Sequence, residues 1–269
     1  MRVFKRSGEP QVFMDIVDNL IIYFLLALSL GLACSSFLVP LKLTGAGLCR
    51  VLSGVILGSL FLVLFFLLKD GYEWGSQTLA FFIFCTCFFT WEVLYLKDDS
   101  KKGAYWLFYV LTILCLLGFA ILTLAVTSFH IMYFILNALF IGSLSCAMIL
   151  GQWYLVTPKI SEVPLLIAIK VFWLFIGIKL LVAISSSVMN VDLFQSLKWQ
   201  SDYMFNWIIY SMRFLWGYLA LLILSVFAWK LTKIRSIQSS TGVLYVMVFF
   251  IFVGEVASIY LYGKLGVLL

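Results

Sequence analysis

The sequence predicts an all-α, polytopic transmembrane helix bundle of eight helices with no soluble domain. Three observations carry that prediction. Hydrophobic residues make up 64% of the 269 and charged residues only 11%, with a mean hydropathy of +1.14. A soluble domain is roughly half apolar and about a quarter charged, so only a bilayer can solvate this much apolar surface. The apolar residues also fall into runs of about 20 or more, the length that crosses the hydrocarbon core as a helix. Finally, no connecting segment exceeds about 15 residues, which leaves no room for a separate nucleotide-binding or catalytic domain.

Residues 1–13 read as a short basic tail with Arg2, Lys5 and Arg6, and 14–269 as one transmembrane domain. The runs are 14–39, 46–68, 78–96, 104–127, 129–156, 164–189, 203–230 and 242–264. The basic tail before the first run is also a signal-peptide feature, and Gly31-Leu32-Ala33-Cys34 is similar to a lipoprotein cleavage site. Asp15 and Asp18 interrupt the approach, however, and the run exceeds a signal-peptide core, so it reads as a retained helix. The fourth and fifth runs are nearly continuous. Thr127-Ser128 is the best break, because one helix across both would be about 70 Å long, over twice the membrane core. Merging them gives the alternative count of seven.

The net charge of +6 and the pI near 9.0 do not point to nucleic acid. The basic residues sit mostly in short loops, where they orient the chain in the lipid bilayer. Loops after odd-numbered helices carry Lys42, Arg50, Lys97, Lys101, Lys102, Lys159, Lys230, Lys233 and Arg235. The opposite side carries Arg2, Lys5, Arg6, Lys69, Lys198 and Lys264. The excess favours the odd-numbered loops as cytoplasmic, although the basic tail argues the other way. Cys34, Cys49, Cys85, Cys87, Cys115 and Cys146 lie in or at the edge of apolar runs and read as small hydrophobes rather than disulfide partners.

Pro10, Pro40, Pro158 and Pro164 lie in the tail or loops, and no internal repeat is visible. Both points argue against an alternating-access carrier built on broken helices. Gly142, Gly177, Gly217 and Gly254 read as sites of close helix packing.

Ionisable groups at depth cost about 2.5–3.5 kcal/mol each even on lenient scales, so they are the best functional pointers. Lys179, Arg213 and Glu255 form a candidate intramembrane charged layer. At 1.5 Å per residue from the side of the odd-numbered loops, they lie about 22, 27 and 20 Å deep. Glu255 is expected to pair with Arg213, with Lys179 close by. Lys170 and Glu92 lie nearer their helix ends and can reach the interface. Asn206, Tyr210, Arg213 and Gly217 share one helical face. Asn137, level with Arg213, adds an amide that wants partners. Asn137, Asn206 and Tyr210 therefore read as polar support for the layer.

His130 is the only histidine and lies near the start of the fifth run. One His excludes bis-histidine haem ligation within the chain, but a single-His or shared haem is compatible. No CxxC pair, HExxH helix or Gly-rich phosphate loop occurs, and Cys85 and Cys87 face different sides of a helix, so no metal site is expected.

Gly151-Gln152-Trp153-Tyr154-Leu155-Val156 ends the fifth run. Lys233-Ile234-Arg235-Ser236-Ile237-Gln238-Ser239-Ser240-Thr241-Gly242-Val243-Leu244-Tyr245 leads into the eighth, followed by Phe252-Val253-Gly254-Glu255. These stretches, about a tenth of the chain, resemble an uncharacterised family of bacterial polytopic membrane proteins in which the first tends to read Gly-His-Trp-Tyr-Leu. The resemblance implies a bacterial inner-membrane home. Gln152 stands where the family has His, which removes the ligand if that His binds a cofactor. Gln238–Thr241 reads as a polar cap for helix eight.

The expected function is a non-enzymatic, multi-pass subunit or small-solute or ion permease built around the charged layer, without a cofactor. The alternative is a redox-associated membrane subunit, partnered with others, that contacts haem or quinone through His130, Gln152 and aromatic faces. An aromatic content of 18% suits cofactor packing, and equally suits lipid-facing and interfacial positions.

Overall fold

The computed structural model describes residues 10–37, 46–69, 71–72, 74–95, 103–124, 128–157, 161–189 and 203–265. Among these residues there are eight helices and no strand: α1 (Pro10–Ser36), α2 (Ala46–Lys69), α3 (Ser76–Tyr95), α4 (Gly103–Leu124), α5 (Ser128–Val156), α6 (Val163–Met189), α7 and α8 (Ile237–Leu265). Helix α7 runs through Tyr203–Phe214, a π-helical turn Leu215–Ala220, and Leu221–Lys233. All eight are long and apolar enough to cross a membrane. Helices satisfy every backbone polar group internally, which is why lipid admits them. The chain is an all-α, multi-pass membrane protein.

Helix α1 begins at Pro10, inside the stretch expected to be a tail. Proline suits the first turn of a helix, where its missing N–H has no partner to lose. Helix α8 begins at Ile237, five residues before the expected start at Gly242. The polar cluster Gln238–Thr241 is therefore not a cap but part of the first turns. Thr241 donates to the Ile237 carbonyl at 2.8 Å, and the Ser240 hydroxyl meets Thr232 Oγ1 at 2.7 Å and donates to the Ala228 carbonyl at 3.1 Å. Helix α7 closes with Arg235 in the left-handed region (φ 58°), while Ser236 N–H donates to the Leu231 carbonyl at 2.9 Å. That is the hydrogen-bond pattern of a left-handed C-terminal cap, here without glycine.

Two ion pairs mark the ends of the bundle. Lys69 reaches Asp18 at 2.6 Å at the end shared by the α1 N-terminus and the α2 C-terminus. Arg235 reaches Glu162 at 2.7 Å at the opposite end, joining the α5–α6 and α7–α8 connections. The hydrogen bond from Arg235 holds the Glu162 carboxyl below its usual range.

The helices pack as two rings of four. Neighbours in the first ring are α1–α2, α2–α3, α3–α4 and α4–α1. In the second they are α5–α6, α6–α7, α7–α8 and α8–α5. The sequence shows no repeat, yet the packing repeats. The rings join mainly through α1 against α5, the most extensive contact between them. Two glycines permit it: a Cβ on Gly31 would lie 1.8 Å from the Ala138 carbonyl oxygen, and one on Gly142 would lie 2.0 Å from the Gly31 carbonyl carbon. Lipid supplies no hydrophobic force between helices, so close backbone approach through small residues does.

The two rings have different centres. Phe82, Cys85, Phe89, Leu116 and Phe119 are buried in the first, and Trp74 stacks on Phe119 at 6.4 Å. Hydroxyls there also link helices, as in Ser29 against Ser59 at 2.6 Å and Tyr109 donating to the Ala33 carbonyl at 2.8 Å. The second ring holds charge. All six cysteines are free thiols, Cys85 and Cys146 buried and Cys87 exposed.

Eight spans place the two chain ends on the same side of the membrane. Impermeant labelling of cysteines introduced at Ser7 and Leu269 checks this, and opposite accessibility would reduce the spans to an odd number. Gly142→Leu should prevent folding, because several side-chain atoms would have to occupy the space of the Gly31 backbone and overpacking costs about 1–3 kcal/mol even where side chains can yield. Loss of the monodisperse peak in detergent size-exclusion chromatography reads this out.

Candidate functional site

The site is built at the centre of the second ring, with all four helices contributing. Lys179 comes from α6, Arg213 from α7 and Glu255 from α8, and all three are 0% exposed. Lys179 Nζ and Arg213 Nη1 both donate to the same carboxylate oxygen, Glu255 Oε1, the latter at 2.9 Å. Each of the three stands ten residues from the Lys69 end of its helix, at Met189, Tyr203 and Leu265. That is about 15 Å of helix in each case, which is why the groups meet. The earlier start of α8 accounts for the unequal depths expected from sequence: counted from Ile237, Glu255 lies about 27 Å from the other end, closer to the level of Arg213.

The π-helical turn of α7 supplies a further partner. An extra residue in the turn brings positions five apart onto one face. Arg213 Nη2 accordingly donates to the Tyr218 hydroxyl at 2.8 Å, and the guanidinium lies 4.4 Å from the Tyr218 ring centroid. Immediately alongside, Gly217 faces Gly254. A Cβ on Gly254 would come within 2.6 Å of Gly217 Cα and 3.1 Å of Arg213 Nη1. The two glycines let α7 and α8 approach closely enough for Arg213 to reach the residue after Gly254. Gly177, by contrast, has nothing near its Cβ position and is not a packing site.

Helix α5 lines the remaining side. Lys179 Nζ sits 4.6 Å from the Phe140 ring centroid and 5.8 Å from that of Tyr133, distances at which a ring face attracts a cation. The Tyr133 hydroxyl meets Ser258 Oγ at 3.0 Å. Asn137 donates from Nδ2 to the Tyr23 hydroxyl at 2.8 Å, so this amide ties the second ring to α1 rather than to the charged groups. Tyr210 also turns away, donating to Ser187 Oγ at 3.2 Å on α6. Asn206, two turns from Arg213, is buried, and its amide has no hydrogen-bond partner among the described residues. Nor has Glu255 Oε2.

The surroundings are polar on one side and apolar on the other. Toward the Lys69 end lie Ser187, Asn206, Tyr210, Tyr133 and Ser258. Toward the Arg235 end the centre is closed by Phe140 stacked on Phe172 at 5.4 Å, with Ile176, Leu221, Met247 and Ile251 all buried.

Of the two candidate cofactor contacts, only Gln152 has a described side chain. His130 lies in the first turn of α5, and its side chain is outside the described residues. Gln152 is half-buried near the Arg235 end, beside Gly151, whose Cβ position lies 2.8 Å from Thr241 Oγ1. The two stretches that carry the family resemblance thus meet in space. Among the described residues no cluster of three or more His, Cys, Asp or Glu is placed to hold a metal ion.

Tyr218, Tyr133, Phe140 and Ser258 were not singled out from sequence. Helical periodicity assigns Tyr218 to a different face from Arg213, and only the π-helical turn reverses that. Fold and site together define a polytopic α-helical membrane protein with a charged centre in one of two helix rings. No protein-family model, curated protein or solved structure matches the chain.

Glu255→Gln should destabilise the protein by about 3–5 kcal/mol, because it strands two buried cations. Lys179→Met should cost clearly less, since it leaves the Arg213–Glu255 pair intact, and adding it to Glu255→Gln should restore part of the loss. Thermal unfolding of the three variants in one detergent gives the ranking. A Lys179→Met protein weaker than Glu255→Gln would contradict the charge arrangement.

Proposed function

We propose that the protein is a permease for a small ion or solute, acting alone or as a membrane subunit, with the Lys179–Arg213–Glu255 layer as its working site and no cofactor. One observation carries this reading: three ionisable side chains from three helices converge at one level in the centre of a ring and are fully buried there. Buried ion pairs add little net stability over well-packed apolar groups. Intramembrane charges of this kind usually mark ion or substrate pathways. The π-helical turn beside Arg213 supports the same reading, since such turns occur frequently at functional sites. The non-enzymatic character follows from the chemistry of the layer, which offers cations and a carboxylate they already engage rather than a nucleophile with a base. The home we propose, the inner membrane of a bacterium, rests on the resemblance of Gly151–Val156 and Lys233–Tyr245.

Proteoliposomes loaded with potential- and pH-sensitive dyes test the function. Imposed gradients of protons, alkali cations and small anions should produce a flux with the native protein. Lys179→Met and Arg213→Met proteins that remain monodisperse should lose at least tenfold of it. Absence of flux for every gradient, or flux indifferent to both substitutions, would overturn the permease reading.

A further inference from the structure

We infer that the outer groove between α6 and α7, near the Arg235 end, binds an anionic phospholipid with its phosphate between Lys170 and Lys233. The groove lies on the outer surface of the second ring, apart from the charged layer inside it.

Helical spacing forms the groove. On α6, Ile169, Phe172, Ile176 and Lys179 take the buried face. Lys170, Trp173 and Gly177, at spacings of three and four, share the face beside it. On α7, Leu221, Ser225, Ala228 and Thr232 are buried, and Trp229 and Lys233 stand next to them at a spacing of four. The two faces meet. The Trp173 and Trp229 ring centroids are 5.9 Å apart, and Trp173 Nε1 donates to Ser225 Oγ at 2.7 Å. Both indoles are half-buried and both lysines are exposed, so the indole pair is the floor of a groove open to the outside.

The level of the lysines fixes what they meet. Lys170 stands three residues from Trp173, and Lys233 four from Trp229, both toward the Arg235 end. Each therefore lies about 4–6 Å beyond the indoles. Lys233 Nζ is 5.2 Å from the Trp229 ring centroid, which holds that ammonium over the groove. Tryptophan concentrates at the membrane–water interface, and a lysine just outside it reaches the headgroups.

Charge complementarity selects the occupant. Among the described residues neither Lys170 nor Lys233 has an ion-pair partner. Glu162, the acid nearest to Lys170 in the sequence, is held by Arg235 at 2.7 Å. Lys230, also exposed, adds positive charge to the same end of α7. Two ammonium groups from separate helices at headgroup level match a phosphodiester, and basic pockets between membrane helices bind anionic headgroups in this way.

The groove also offers room for an acyl chain. Gly177 follows Trp173 by one turn toward the bilayer centre, and a Cβ there would meet nothing within 4 Å. Leu174, Ile178 and Val226 are exposed apolar side chains at the same depth. From the Arg235 end inward, the lysines, the indoles and the open space at Gly177 follow the order of a phospholipid's phosphate, glycerol backbone and chain.

The test is lipid binding to the purified protein in detergent, read by native mass spectrometry and by the rise in unfolding midpoint that a ligand of the folded state produces. The probes are phosphatidylglycerol, phosphatidylcholine with identical chains, and inorganic phosphate. Native protein should retain phosphatidylglycerol in preference to phosphatidylcholine, by about fivefold for each lysine. K170Q/K233Q should lose the preference and K170R/K233R should keep it. G177F leaves the charge unaltered, extends into open space and should lose the bound phosphatidylglycerol, with G177V replacing it if Phe prevents folding. Monodisperse elution selects the folded variants. Equal retention of the two lipids by native protein, or a preference unchanged in K170Q/K233Q, would overturn the inference. So would displacement of the lipid by inorganic phosphate, the mark of a free-anion site. A preference that depends on the lysines but not on Gly177 would replace the groove with diffuse attraction to a basic surface.

Discussion

One carboxylate oxygen organises half of this molecule. Glu255 Oε1 accepts from both Lys179 and Arg213 in a region where each charge, left alone, would be expelled from the membrane. The helices that carry them are thereby committed to one register: α6, α7 and α8 must present residues ten positions from the same end at the same level. Helix α7 meets that requirement with a π-helical turn that brings Tyr218 under the guanidinium, and α7 and α8 meet it with the Gly217–Gly254 approach. These are compensations for charge, and none has a counterpart at the aromatic centre of the first ring.

The contrast between the rings has functional weight. The same connectivity of four helices is built twice, once around Phe82, Phe89 and Phe119 and once around Lys179, Arg213 and Glu255. The first ring is packed around aromatic and aliphatic side chains and meets α5 through the Gly31–Gly142 crossing. The second accepts the cost of buried ions. The hydrogen bond from Asn137 to Tyr23 crosses between them and ties α5 to α1.

The helices and the three charged residues were legible in the sequence, because apolar runs of bilayer length and isolated charges inside them have few physical interpretations. The boundaries of α8 were not. Gln238–Thr241 looks like a loop or cap by composition, but Ser240 and Thr241 spend their hydroxyls on the backbone of α7 and α8 and so remain within a helix. The face shared by Asn206, Tyr210 and Arg213 was read at 3.6 residues per turn, and the structure divides it. Tyr210 meets α6, while Arg213 with Gly217 and Tyr218 meets α8. A polar stripe names a set of residues but not which neighbouring helix each one meets.

The sequence by itself determined the solvent, the number of spans and the identity of the costly groups, since these depend on local composition and length. Only the tertiary structure decided that the spans form two rings, that all three charges share one ring, and that two cations converge on one oxygen. Those facts depend on contacts between helices far apart in the chain, such as Lys179 with Glu255, and on the π-helical turn that changes which residues share a face. Helical periodicity is set within a turn, whereas the cluster of charged residues at the centre of a ring exists only once helices distant in the chain pack together.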